Sequence, residues 1–188
     1  MDPIGIIRKF YDPRSRAYAV LVAHGRRVAG EALEVARRVP HLNPDLGFIR
    51  EAAMLHDIGI CRTRAEALGC FGPDPYIRHG VLGAKILAAI GLPDHAAVCE
   101  RHVGAGLTAE EIRHQRLPLP RRDMIPQRIE EVIVAYADKF FSKANEAAGK
   151  KSPAAVLNEL ARYGEGPVTR FRSWMALVSA ERSTGGTK

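Results

Sequence analysis

The run AAMLHDIGICRT, residues 52–63, decides how this chain is read. Four apolar residues lead into His56 and Asp57, and Ile58, Gly59 and Ile60 follow. Burying an imidazole and a carboxylate without partners is costly. Two good metal ligands side by side at the end of an apolar stretch therefore need company from elsewhere in the chain. The stretch itself predicts a helix over Pro44–His56, with Asn43 as N-cap, Pro44 at the first helical position and Gly59 closing it.

Outward from there, the chain reads as helical nearly throughout, and no β alternation runs over five or more residues. A long helix is expected over Arg14–Val39, where Ala17, Val20, Leu21, Val28, Leu33 and Val35 recur at helical spacing before Pro40. Residues 61–67 suggest a short helix, and GCFGPDPY, 69–76, is a loop by its glycines and prolines. Further helices are expected over Tyr76–Ile90, from Asp94 as cap to His102, and in AEEIRHQ, 109–115, where Thr108 and Glu111 form a capping box. LPLPRRDMIP, 117–126, is a loop. Pro126 opens a helix to Ala148, Ser152-Pro153 starts another, Gly164 and Gly166 break it, and a last helix runs to Glu181. The tail STGGTK is expected to be disordered. The expectation is an all-α bundle over residues 1–150 with additional C-terminal helices over 151–188.

The chain has 188 residues, 46% of them apolar, enough for one core. No apolar run approaches the ~20 residues of a membrane helix. The N-terminus has an acidic second residue and no long apolar segment, so no signal peptide is read and the cytoplasm is expected. Cys61, Cys70 and Cys99 are odd in number and form no C-x-x-C, which reads as free thiols and not as a zinc site. The net charge of +7 points to an anionic partner. Because the basic residues are spread along the chain, a small phosphorylated molecule is favoured over nucleic acid. Aromatics are only 6%, which offers no stacking platform for single strands.

Four of the seven histidines, His24, His56, His79 and His102, fall on expected helices or at their ends. Asp57 and Asp138 are acids inside apolar helical segments; Asp138 lies in EEVIVAYADKFF, 130–141, where Val132, Ala135 and Phe140 face the core. Imidazoles and carboxylates together suit Mn, Fe, Co, Ni and Zn. Four histidines and two aspartates exceed one tetrahedral site and suit two ions bridged by an aspartate, as helical bundles build them. His41 and His114 read as surface. His95, two helical turns before His102, is a weaker candidate.

The blocks AHGRRVA (23–29), AAMLHDIG (52–59), RHGVLGAKIL (78–87), ERHVGAG (100–106) and VAYADK (134–139) occur in the order seen in HD-domain metal-dependent phosphohydrolases. The chain resembles their HDIG subgroup, above all small stand-alone prokaryotic HDIG proteins, and its spacing is similar to that of HD-type diadenosine tetraphosphate hydrolases. The resemblance covers about Tyr18–Lys143. It implies that His24, His56, Asp57 and Asp138 hold one divalent transition metal, with His79 and His102 holding a second and Asp57 between them. It also implies a water activated by the two ions that attacks phosphorus in line, and no Ser-His-Asp or Cys-His arrangement competes with that. Ile60 stands where relatives that cut cyclic dinucleotides often carry lysine, and no GYP segment follows, which speaks against that substrate.

Arg27, one turn after His24, and Lys139, beside Asp138, are the candidate phosphate contacts. Arg62, Arg64, Arg78 and Arg101 flank other ligands, and the backbone of GAG, 104–106, is a possible N–H cradle. The segment 68–76 is either a rim over the site or a plain surface insertion. The apolar residues after Lys150 either pack on the bundle or make a homodimer contact. The alternative to an enzyme is a metal- or nucleotide-binding sensor without turnover.

Overall fold

Three helix starts show how local chemistry frames the molecule. The structure, a computed structural model, describes residues 1–143 and 149–179. Ser15 opens α2 (Arg16–Arg38) by accepting from the Tyr18 N–H, Asp45 opens α3 (Leu46–Leu55) by accepting from Phe48, and Ser152 opens α8 (Pro153–Leu160) by accepting from Ala155. A short α1 (Pro3–Ile7) precedes them. The remaining helices among the described residues are α4 (His79–Ala89), α5 (Pro93–Arg101), α6 (Ala109–His114), α7 (Ile129–Asp138) and α9 (Glu165–Ser179). The all-α expectation holds, with one addition. Strands β1 (Thr63–Ala65), β2 (Cys70–Phe71) and β3 (Asp74–Pro75) make a small sheet in the order β2-β1-β3, antiparallel on one side and parallel on the other.

Helix α7 is the axis of the bundle. Every residue from Glu130 to Asp138 is buried, as expected of a helix that is apolar nearly all round. Its two buried glutamates are satisfied. Glu131 takes Arg101 at 2.9 Å on both oxygens and the Gln127 N–H at 2.9 Å, and Glu130 takes the Asp45 N–H at 3.1 Å. One core cluster joins α2, α3 and α7 to the C-terminal helices through Val156, Leu160, Val168, Phe171, Trp174 and Val178. Phe171 stacks on Tyr136 at 5.2 Å between centroids. Most of the C-terminal apolar residues therefore pack on the bundle, while Leu177 stays exposed. A second cluster joins α1 and the first half of α2 to Leu55, Ile58, Leu87 and Cys99. No described helix is long and apolar enough to cross a membrane.

Several expected boundaries shift. Asn43 is not an N-cap; it takes a left-handed conformation after a 3-10 turn at Pro40–Leu42, and Asp45 caps instead. Asp94 lies inside the first turn of α5, whose N-cap is Leu92. Residues 61–67 are not a helix: a 3-10 turn over Ile58–Arg62 runs into β1. Helix α7 stops at Asp138 and not near Ala148; residues 144–148 lie outside the described residues, as does the tail. Gly166 sits inside α9, so only Gly164, at φ +109, breaks the chain there. The capping box at Thr108 and Glu111 forms as expected.

Gly59 has a different job from the helix stop assigned to it. A Cβ at this position would lie 2.1 Å from the His79 carbonyl oxygen and 2.3 Å from the Gly83 nitrogen. The glycine lets the turn after the HD pair lie directly against α4, which carries His79.

Candidate metal centre

The six sequence candidates come together from five helices. His24 sits mid-way along α2, His56 caps α3 and Asp57 follows it. His79 begins α4, His102 caps α5 and Asp138 ends α7. All six side chains are buried. Asp57 stands between two groups. Its Oδ2 faces His24 Nε2 at 3.4 Å and His56 Nε2 at 3.1 Å, and Asp138 Oδ1 closes that group at 2.9 Å from His24 and 3.4 Å from His56. Its Oδ1 faces His79 Nε2 at 3.3 Å and His102 Nε2 at 3.4 Å. Within each group the facing donor atoms all lie within 4.8 Å of one another.

Three of the histidines are oriented by one local device. His56 Nδ1 donates to the Ala53 carbonyl at 2.6 Å, His79 Nδ1 to Tyr76 at 2.8 Å, and His102 Nδ1 to Cys99 at 2.7 Å. Each ring folds back on the carbonyl three residues earlier, which leaves Nε2 as the lone-pair nitrogen aimed inward. Tyr76 also stacks on the His79 ring at 4.7 Å.

This donor set fits a divalent transition metal. His79 Nε2 and His102 Nε2 lie 3.1 Å apart. Both rings spend their N–H on a backbone carbonyl, so two lone pairs face each other, an arrangement that needs a cation between or beside them. Among the described residues, Asp57 Oδ1, which faces these two nitrogens, is buried without an aligned hydrogen bond. An orphaned carboxylate oxygen beside two opposed lone pairs is what a metal would satisfy.

The charges around the site follow from its burial. Burial, then the nearby Lys143, pushes His24 down to about 4. Burial also pushes His79 down to about 3 and lowers His102. Burial opposes the charge on His56 as well, but Asp57 and Asp138 outweigh it and hold the ring up to about 9. Burial would raise Asp57 and Asp138; their cationic neighbours hold both well below the usual carboxylate range.

A pH dependence of the metal-free protein follows. The unfolded chain binds protons at His24 and His79 near pH 6.5, whereas the folded chain refuses them until about 4 and 3, so stability falls as pH drops below about 6.5. His56 works the other way: its contribution is whole below about 6.5 and is lost as pH rises through about 9. The melting temperature in chelator is expected to peak near pH 6.5 and fall toward both pH 4 and pH 9. A scan that stays flat over that range would contradict this charge assignment.

Two lysines complete the site. Lys139 Nζ lies 2.8 Å from Asp138 Oδ2, on the expected side of the site. Lys143, which sequence reading did not single out, places Nζ 2.8 Å from Asp57 Oδ2 and 3.7 Å from Asp138 Oδ1. An uninterrupted helix would put positions 138 and 143 on different faces. The chain leaves the helix after Asp138, and only that turn brings Lys143 back. Arg27 goes elsewhere: its guanidinium lies over Phe141, 5.8 Å from the ring centroid, with Nη2 3.5 Å from the Ser142 carbonyl oxygen. His95 is remote from the cluster, near Glu51 at 3.5 Å and edge-on to Phe48. Arg78 pairs with Asp74, and Arg101 with Glu131.

A cavity of about 310 Å³ opens on this centre. Its floor carries His79, His102, Asp138, Lys139 and Lys143, and the backbone of Gly104–Gly106 lines one side. Tyr76, from the end of segment 68–76, reaches the cavity, while β2 and β3 lie outside its lining.

A helical bundle whose helices deliver four histidines and two aspartates to one buried point, beneath a cavity that also carries two lysines, defines a metal-binding domain of the histidine–aspartate type. The family model for the HD domain matches residues 21–142, and the chain belongs to that family. HD domains form a superfamily of metal-dependent phosphohydrolases. An uncharacterised protein of Methanocaldococcus jannaschii is 38% identical over 121 residues, which is 63% of this chain and 64% of that protein. Proteins named tRNA (cytidine(56)-2'-O)-methyltransferase from Thermoplasma volcanium and Picrophilus torridus are each 36% identical, over 123 and 124 residues, 65% of this chain. The match takes up only 32% of each of these two longer proteins. No solved structure gives a significant match.

Proposed function

We propose that this chain is a metal-dependent phosphohydrolase that cleaves a phosphate ester or anhydride of a small phosphorylated molecule, with a nucleotide as the favoured class. The observation that carries the reading is Asp57: one buried carboxylate turns each of its oxygens toward a different pair of histidines. That is the donor arrangement for two bridged ions. Bound divalent ions would supply an acidified water and neutralise charge on the phosphoryl oxygens.

The chain's own residues do the rest. Asp57 and Asp138 fix the positions of the four imidazoles, and the carbonyls of Ala53, Tyr76 and Cys99 lock three of the rings. Lys139 and Lys143 put positive charge on the cavity floor, beside the phosphoryl oxygens and the leaving oxygen, which takes the electron pair as its bond to phosphorus breaks. No side-chain nucleophile is needed, since water supplies the oxygen that ends on phosphorus.

A second reading is a metal- or nucleotide-binding module without turnover. The longer relatives named for tRNA methylation favour it, because there the matching segment accompanies a different named activity. A panel of phosphate esters assayed with Mn, Fe, Co and Ni separates the two. Released phosphate or nucleoside is expected. Nucleotide binding without product would favour the module, and pure protein that neither contains nor takes up metal would end the phosphohydrolase reading.

A further inference from the structure

The cavity over the metal centre is lined by more than the histidines and lysines. Leu160, Tyr163 and Pro167, which lie beyond the matched HD segment, line it as well. Tyr163 lines the cavity and is 63% exposed, so its ring is accessible to a ligand. The wall is held in place. Arg170, on α9, reaches the Glu111 carboxylate at 2.7 and 2.8 Å, the Ala105 carbonyl at 2.9 Å and the Gly106 carbonyl at 3.1 Å. Through Nε and Nη2 this one arginine holds a carboxylate and two backbone carbonyls, and it ties the C-terminal helices to the loop that forms another side of the cavity.

We propose that the segment 160–167 sets the substrate range of this enzyme, with Tyr163 as the specificity residue that stacks on a small planar group carried by a phosphate monoester. The proposal rests on the phosphohydrolase reading above. Charge at the floor and an aromatic ring at the mouth match an amphipathic ligand, phosphate inward and planar group outward. A cavity of about 310 Å³ lies at the small end of ligand pockets, roughly 300–1,000 Å³, which suits one such compound.

The test measures binding, not turnover. Manganese-loaded full-length protein is titrated calorimetrically with phenylphosphonate and with methylphosphonate, neither of which it can hydrolyse at the P–C bond. Wild type is expected to bind the phenyl compound more tightly. Tyr163→Ala should weaken phenylphosphonate about tenfold and leave methylphosphonate within about twofold, while Tyr163→Phe keeps the preference. Because Tyr163 is exposed, the alanine variant is expected to fold, which circular dichroism checks. Equal affinity of wild type and Tyr163→Ala for phenylphosphonate, or an equal loss for both ligands, would overturn the specificity role. If wild type binds neither phosphonate, the phosphohydrolase reading itself fails and this proposal falls with it.

Discussion

Asp57→Ala is expected to remove metal from both halves of the centre and to abolish activity. Among the described residues, Asp57 alone belongs to both ligand groups, since each of its oxygens faces a different histidine pair. Loss of rate by at least about 10³-fold is expected, because the charge stabilisation of the reacting phosphoryl group goes with the ions. The alanine also leaves Lys143 and His56 without their closest carboxylate, and an uncompensated buried charge costs about 3–5 kcal/mol. Asp57→Asn separates the two effects, since it keeps the shape and loses the ligand charge. It should stay folded by circular dichroism while its metal content, measured by mass spectrometry, falls well below that of wild type. Wild-type metal content in Asp57→Asn would remove this carboxylate from the centre of the account.

Gly59→Ala is expected to destabilise the fold strongly for a single added methyl group. The added Cβ would meet backbone atoms of His79 and Gly83 at 2.1 and 2.3 Å, and backbone cannot turn aside as a flexible side chain can. Overpacking of this severity costs about 3 kcal/mol or more, which in a chain of this length lowers the melting temperature by roughly 6–12 °C. Gly30 is the control: it lies in α2 with nothing within 4 Å of its would-be Cβ. Gly30→Ala should instead stabilise by about 0.5–1 kcal/mol, because glycine is the poorer helix former. Similar melting temperatures for the two variants would show that close packing of the HD turn on α4 does not hold the site together.

The metal-centre residues were legible because each breaks a local rule. A carboxylate inside an apolar helical segment, as at Asp57 and Asp138, has no cheap explanation except a cation. Histidines recurring on apolar helices or at their ends point the same way. What escaped notice broke no local rule. Lys143 is an ordinary lysine in sequence, and its place beside Asp57 depends on where α7 ends, which nothing in the run after Asp138 announces. Gly59 looks like a helix stop because the same residue type serves both roles, and only the approach of α4 shows that it serves the second. Asn43 and Asp45 are two good caps two residues apart, and the turn at Pro40–Leu42 chose between them. The small sheet pairs strands of two or three residues, too short for alternation to register. Tyr163 lies outside the family match, so its place over the cavity had to come from tertiary packing.

The central claim is that these six side chains form one two-part metal centre. Crystals grown with manganese and measured for anomalous scattering test it most directly. The account predicts two anomalous peaks, one on each side of Asp57, the first among His24, His56 and Asp138 and the second beside His79 and His102. Anomalous density found only elsewhere in the molecule, or none in the presence of manganese, would contradict it.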